Sequence, residues 1–283
     1  MELTDISYSV EADGAVAVIA LNRPEVLNAI SARAGGTRDQ ILAALSTAEH
    51  DPDVRCVVLR GEGRAFCGGG DLTGNARRER SVDDVRFVEQ ANDFHQRIGA
   101  SPLPTIAAVH GHCLGAGLLL AASCDLVIAA QNARLGFPEG RLGLVGASVL
   151  VPVIGRQWAK FLMFTGESVT ATQARDLGLV LTVEPDDELL PRVLDLAGRL
   201  ARMPHEGLEL NRRAINAVAD AAGDAEARAA AVAHDALTLS MAAHATAPDG
   251  RSFRTILDTE GMEGMKRARA AQYESNWLRP EAT

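Results

Sequence analysis

The sequence predicts an α/β fold, and three observations carry that prediction. Short β-branched apolar runs recur through the first part of the chain, at Ala15–Leu21, Val54–Arg60, Thr105–Val109 and Leu126–Ala130. Helical patterns follow several of them, so strand, strand, helix units repeat, and right-handed crossovers would stack such units into a spiral. From Glu188 onward the pattern is helical. The expected organisation is a spiral core over residues 1–200 and a helical region over residues 201–283.

Taken in order, Ile6–Val10 and Ala15–Leu21 flank Asp13-Gly14, which reads as a hairpin turn. Asn22-Arg23-Pro24 ends the second strand. A helix is expected over residues 32–49, weakened locally by Gly35-Gly36. Strand Val54–Arg60 runs into Gly61-Glu62-Gly63 and then Ala65–Leu72. The segment 73–98 is the most polar part of the first half. Its Arg77-Arg78-Glu79-Arg80 run reads as a solvated face, and Asp83–Ile98 as a helix with Val85, Val88, Asn92 and His95 at roughly helical spacing. His95 is read as a surface or packed histidine. Strands follow at Thr105–Val109, Leu126–Ala130 and Ala133–Phe137, and Pro138-Glu139 interrupts the apolar pattern. Gln157–Thr165 and Thr172–Leu177 read as helices, and Val180–Val183 as a last strand. Helices over 188–202, 205–222, 224–245 and 252–271 complete the chain, with 278–283 frayed.

A chain of 283 residues, 47% hydrophobic, can bury a full core. Its net charge of −9, the lack of a sustained Lys/Arg cluster and the presence of only two Trp and two Tyr argue against nucleic-acid binding. MELTDISYSV has neither a basic n-region nor an apolar h-region, and no 18-residue apolar span occurs. The expectation is a cytoplasmic protein with no membrane partner. Cys56, Cys67, Cys113 and Cys124 lack metal-like spacing and read as buried free thiols, with Cys67 or Cys113 placed to line a pocket. No metal site or nicotinamide fingerprint is present.

Two stretches carry the chemistry. In PTIAAVHGHCLGAGLLLAASCD, residues 104–125, a strand breaks at Gly111, and Gly115-Ala116-Gly117 then opens a buried helix. Free backbone N–H groups gather at such a helix start, and small residues let a ligand approach the main chain. Gly68-Gly69-Gly70 makes a second strand-to-glycine corner. Alone, either corner is explained by tight packing. Together they make a two-donor oxyanion hole for a thioester or ester carbonyl that gains negative charge.

AFCGGGDL (Ala65–Leu72) paired with HGHCLGAG (His110–Gly117) resembles the crotonase superfamily, the enoyl-CoA hydratase/isomerase group. LNRPEVLNAI at Leu21–Ile30, FPEGRLGLV at Phe137–Val145 and TGESVTATQARDLGLVLTV at Thr165–Val183 extend the resemblance, in family order, across roughly residues 5–215. It implies a crotonase-type spiral of ββα units, with C-terminal helices that build a homotrimer or a hexamer (a dimer of trimers). It implies an acyl-CoA thioester as substrate, with coenzyme A part of that substrate and no other cofactor. The oxyanion donors map to Gly70 and Ala116. Val26, Leu27, Gly68, Gly69, Asp71, Leu72, Leu114, Gly115, Leu119 and Pro138 map to substrate-binding positions, with Val26 and Leu27 on one wall of the CoA site.

The template is broken at one place. Hydratases of this family use two glutamates, and the first, three positions after the second donor, is Leu119 here. The second is Glu139, which a pocket of Leu119, Phe137 and Val145 would desolvate and so push toward general acid/base work. A further acid used by dienoyl isomerases would fall near Ala147 and is absent. One carboxylate beside an oxyanion hole suffices for a 1,3-proton shift, so Δ3–Δ2 enoyl-CoA isomerisation is expected. The alternatives are an enoyl-CoA hydratase with a non-standard second acid, for which Ser148 and His112 are candidates, thioester hydrolysis or decarboxylation, and a non-catalytic acyl-CoA-binding trimer. A serine peptidase of related fold would need a nucleophile where Gly115-Ala116-Gly117 stands.

Overall fold

A computed structural model describes residues 3–73, 80–144, 146–242, 244–271, 273, 277 and 278. The Arg77-Arg78-Glu79 run, Val145 and residues 279–283 lie outside the described residues.

Two sheets face each other. The larger has six strands in the order β1 (Ile6–Glu11), β2 (Val16–Leu21), β3 (Cys56–Gly61), β5 (Thr105–Val109), β7 (Leu126–Ala130) and β10 (Thr182–Glu184). Only the β1–β2 hairpin is antiparallel; every other neighbour pair is parallel. The smaller sheet stacks β4 (Ala65–Cys67), β6 (His112–Leu114), β8 (Arg134–Gly136) and β9 (Ser168–Thr170). All four have three residues; β8 falls within the expected strand Ala133–Phe137, while β4, β6 and β9 are too short for alternation to show.

Alternate residues of the large sheet serve different layers. Ala17, Ile19, Val57, Leu59, Ala107 and Val109 point inward to a core shared with Phe66, Cys67, Cys113 and Leu135 of the small sheet. Val16, Val18, Cys56, Val58, Ile106 and Ala108 point outward and are covered by Leu189, Val193 and Ala197 of helix α6 (Leu189–Ala201). Burial on both faces explains why these strands read as unbroken apolar runs. A fold of parallel strands with crossover connections, and a helical C-terminal part, agrees with the expected class.

The remaining helices are α1 (Thr37–His50), α2 (Ser81–Gly99), α3 (Ala116–Ala122), α4 (Val151–Thr165), α5 (Ala171–Asp176), α7 (His205–Ala219), α8 (Ala225–Ala242) and α9 (Phe253–Ala270). Two bounds depart from expectation for a backbone reason. Helix α1 begins at Thr37 and not at 32, because Gly35 sits at φ +69, a left-handed value that ends helical propagation. Helix α4 starts six residues earlier than Gln157 and is bent at Gly155, φ +72. The last strand is Thr182–Glu184, two residues beyond the expected start. Helix α8 packs along α2 and against the 3-10 turn Ala147–Leu150, which brings the C-terminal region over the spiral core. Leu142 joins Phe253, Ile256 and Met265 of α9 in a separate apolar cluster.

Candidate active site

The first glycine corner is held by the segment before it. Asn28, buried and at φ +57, accepts a hydrogen bond on Oδ1 from the Arg23 N–H (2.9 Å) and donates through Nδ2 to the Glu62 and Ala65 carbonyls (2.9 and 2.8 Å). The Gly68 N–H donates to the Leu27 carbonyl at 2.7 Å. Ile30 N–H donates to the Gly69 carbonyl and Asp71 N–H to the Ile30 carbonyl, each at 2.9 Å. That bridge uses the groups on either side of Gly70 and leaves the Gly70 N–H outside it. The LNRPEVLNAI segment thus braces the corner against β4.

The second corner completes the pair. Gly115, at φ +51, caps α3, and Ala116 is the first helical residue, whose N–H has no intrahelical acceptor. A side chain at Gly70 would come within 4.0 Å of Ala116 Cβ, so the two N–H donors are neighbours. A side chain at Gly117 would lie 2.7 Å from Cys67 Sγ, and one at Gly69 3.3 Å from the Leu114 carbonyl oxygen. The two corners are in backbone-to-backbone contact. Only glycine permits that approach.

Glu139 comes from a third element, the 3-10 turn Pro138–Leu142 after β8, with Pro138 at its start. Its carboxylate rests against Gly115: a side chain there would lie 2.9 Å from Glu139 Cδ. Burial pushes the Glu139 carboxyl up to about 7; its own N–H and the Arg269 charge pull it down, while Asp235 adds to the rise. Although enclosed by protein, Glu139 keeps a face on a cavity of about 1380 Å³. A carboxyl titrating there is available at neutral pH both as base and as acid.

The cavity brings together Gly68, Gly69, Gly70, Asp71, Leu72, Gly115, Ala116, Leu119, Pro138 and Glu139. Val26, Leu27 and Leu114 do not line it. Val26 is exposed in the 3-10 turn Pro24–Val26, and Leu27 packs against Gly68. Phe137 is fully buried behind the wall. Asp71 is fastened by Thr73 and Arg23 (3.0 Å); burial works against its ionisation, but these bonds prevail and hold the carboxyl below its ordinary range. Its work is to tie down the corner.

Cys67 and Cys113 are fully buried behind the corners, and the thiol that reaches the cavity wall is Cys124. Burial pushes the Cys67 thiol up to about 12 and raises Cys113 and Cys124 strongly, so these sulfurs stay protonated and unreactive. Neither substitute acid considered from the sequence reaches the cavity. Ser148 Oγ is buried without a partner off the wall, and His112 sits among Arg64, Arg134 and Lys266 on the far side of β6.

Sequence reasoning overlooked what the helices contribute. Asp235 of α8 lines the cavity, its Oδ1 is buried without a hydrogen-bond partner, and burial pushes its carboxyl up to about 6. Arg269 of α9 faces Glu139 and is half-buried. A single Asp within the Ala-rich run Ala225–Ala242 was the available signal, and an apolar helix face around one acid is weak evidence without knowing what covers it. Among the described residues no group of three or more potential metal ligands occurs, and no helix is long and apolar enough to cross a membrane.

The enoyl-CoA hydratase/isomerase family profile matches residues 11–250. A short-chain-enoyl-CoA hydratase of Clostridium acetobutylicum is 33% identical over 76% of this chain and 82% of its own. A 2,3-dehydroadipyl-CoA hydratase of Escherichia coli is 35% identical over 71% of this chain and 78% of its own. Among solved structures, an enoyl-CoA hydratase/isomerase from Xanthobacter autotrophicus superposes with a TM-score of 0.87 at 30% identity, covering 97% of this chain and all of the other. Matched in profile, sequence and three-dimensional course, this chain belongs to the enoyl-CoA hydratase/isomerase family of the crotonase superfamily.

Proposed function

We propose that the protein shifts the double bond of an enoyl-CoA thioester between Δ3 and Δ2, with Glu139 as the proton carrier. One observation carries this reading: a carboxyl that titrates near neutrality lies against the residue that caps α3, beside the free Ala116 N–H. Ionised Glu139 takes a proton from C2 of a 3-enoyl thioester. The electron pair moves onto the thioester oxygen, where the Gly70 and Ala116 N–H groups hold the enolate. The enolate collapses with a shift of the double bond to C2–C3, and the protonated Glu139 returns its proton to C4. Each N–H donor of such a hole contributes about 2.7–4 kcal/mol to the transition state. Leu119 supplies no second carboxylate from α3, and this route needs none.

Hydration is the second reading, and Asp235 favours it. An unpartnered carboxyl on the same wall, close enough for its charge to raise Glu139, is a second acid of non-standard origin. Val26, exposed in its turn, and Leu27, packed against Gly68, are suited to the CoA moiety. Exposed Leu210, Ile215 and Val218 on α7, with Leu237 and Met241 on α8, support self-association of the helical region as a trimer or hexamer.

The test is incubation in D2O with a trans-3-enoyl-CoA and, separately, a trans-2-enoyl-CoA, with products read by mass. A shifted double bond without added water, lost in Glu139→Gln, supports isomerisation. Water added to the 2-enoyl substrate moves the assignment to hydration. No change in either substrate overturns both.

A further inference from the structure

One corner of the cavity carries charge that the proton shift does not use. Arg38 stands in the first turn of α1, its guanidinium 5.1 Å from the centre of the Phe87 ring of α2. Its Nε is buried without a hydrogen-bond partner, and among the described residues it makes no ion pair. The carboxylate that acts on it is its neighbour Asp39, which is exposed and accepts a hydrogen bond from the Gly35 N–H at 2.7 Å. Across from it on α2, His95 Nδ1 is also buried and unpartnered. Burial, helped by the Arg38 charge, pushes His95 down to about 3, so the imidazole is neutral. Both residues line the cavity that holds Gly70, Ala116 and Glu139.

The other cavity arginines have occupations. Arg212 is bound to Asp125 and to the Gly99 and Ser101 carbonyls, Arg228 to Asp220, and Arg213 to Glu209. Arg269 faces Glu139. Arg38 is different: a half-buried cation beside an aromatic ring and a neutral imidazole, with no ion pair among the described residues. Leaving such a charge uncompensated costs stability, and a guanidinium is shaped to take a carboxylate through two N–H groups at once. The same cavity also has apolar lining, Val88 and Ala91 of α2 and Leu119 of α3, beside the polar Asn92 and Gln96. An apolar chain that ends in an anion matches a cavity with both kinds of lining. A saturated methyl end would leave Arg38 desolvated and unpaired.

We propose that Arg38 and His95 form a subsite for a carboxylate at the far end of the acyl chain, so that thioesters of unsaturated dicarboxylic acids are the favoured substrates. This rests on the acyl-CoA reading of the site above, and names which acyl groups it takes.

The experiment compares matched pairs in the full-length protein. Direct binding of hexanedioyl-CoA against hexanoyl-CoA, and of octanedioyl-CoA against octanoyl-CoA, is measured by calorimetry. Turnover is measured with the corresponding trans-3-enoyl pairs. The dioyl member is expected to bind about tenfold to a hundredfold more tightly at one length or both. Arg38→Met is expected to erase that ratio and Arg38→Lys to retain part of it, with the turnover change in KM more than in kcat. Equal or weaker binding of both dioyl thioesters by the unaltered protein overturns the subsite, and so does a ratio that survives Arg38→Met. Because binding is read without turnover, a protein that prefers dioyl thioesters yet converts no enoyl substrate keeps the subsite and refutes the isomerase.

Discussion

The two sides of the cavity are built in different ways. On the spiral side the wall presents backbone: Gly70 and Ala116 offer N–H groups, and Gly115 and Gly117 make room for Glu139 and Cys67. On the helical side it presents side chains brought from afar: Arg38 from α1, His95 from α2, Asp235 from α8 and Arg269 from α9. At Gly115 and Gly117 the first side has no room for a side chain, because added atoms meet the Glu139 carboxylate or Cys67. The second can be rewritten one side chain at a time. A family can hold its chemistry on the first side and vary its substrates on the second.

The sharpest way to break this contrast is at Glu139. Glu139→Gln is expected to lower kcat about 10²–10⁴-fold. The same variant should be more stable than the parent at pH 8. A carboxyl raised from 4.5 to about 7 by folding binds its proton more tightly in the native state, so its stabilising contribution is lost as pH rises from 4.5 through 7. Removing the charge recovers up to about 3 kcal/mol at pH 8, read as a higher denaturation midpoint. A less stable Gln variant would mean that the carboxylate holds the site together.

Gly115→Ala comes next. The new methyl would press on the Glu139 carboxylate from a left-handed backbone position, so both activity and stability should fall, the latter by about 1–3 kcal/mol. Full activity in this variant would show that the spiral side is softer than its geometry.

Smaller effects sharpen the helical side. In the proposed proton shift Glu139 acts first as base, so kcat/KM should rise with pH through about 7. Asp235→Asn removes a negative charge that raises Glu139 and should move that rise to lower pH; Arg269→Met removes a charge that lowers it and should move the rise to higher pH. Opposite displacements measured on one substrate would establish that both helices act on the proton carrier. If hydration occurs, Asp235→Asn should reduce it more than isomerisation.

The spiral side was legible because its requirements reach down to single residues in short motifs. Three glycines after β4, a Gly-Ala-Gly at the start of α3 and a Pro-Glu after β8 each leave a local mark, and so does the replacement at Leu119. The helical side left none. Asp235 lies in an alanine-rich run, Arg38 one residue into a helix whose start was misplaced by the Gly35-Gly36 turn, and His95 on a helix that reads as ordinary packing. Which face of a helix meets a cavity depends on partners more than a hundred residues away, as with α8 against α2. Strands β4, β6 and β9 of the small sheet escaped for a simpler reason: three residues are too few for alternation to reveal a strand.

The four buried cysteines have a practical consequence. With Cys56 and Cys67 pushed up to about 12 and Cys113 and Cys124 raised as well, no thiol presents a reactive anion while the chain is folded. Alkylating reagents at neutral pH should therefore leave the native protein untouched and modify all four sulfurs together once it opens. The rate of that modification is a clock for global opening, built into the wild-type chain and requiring no added label.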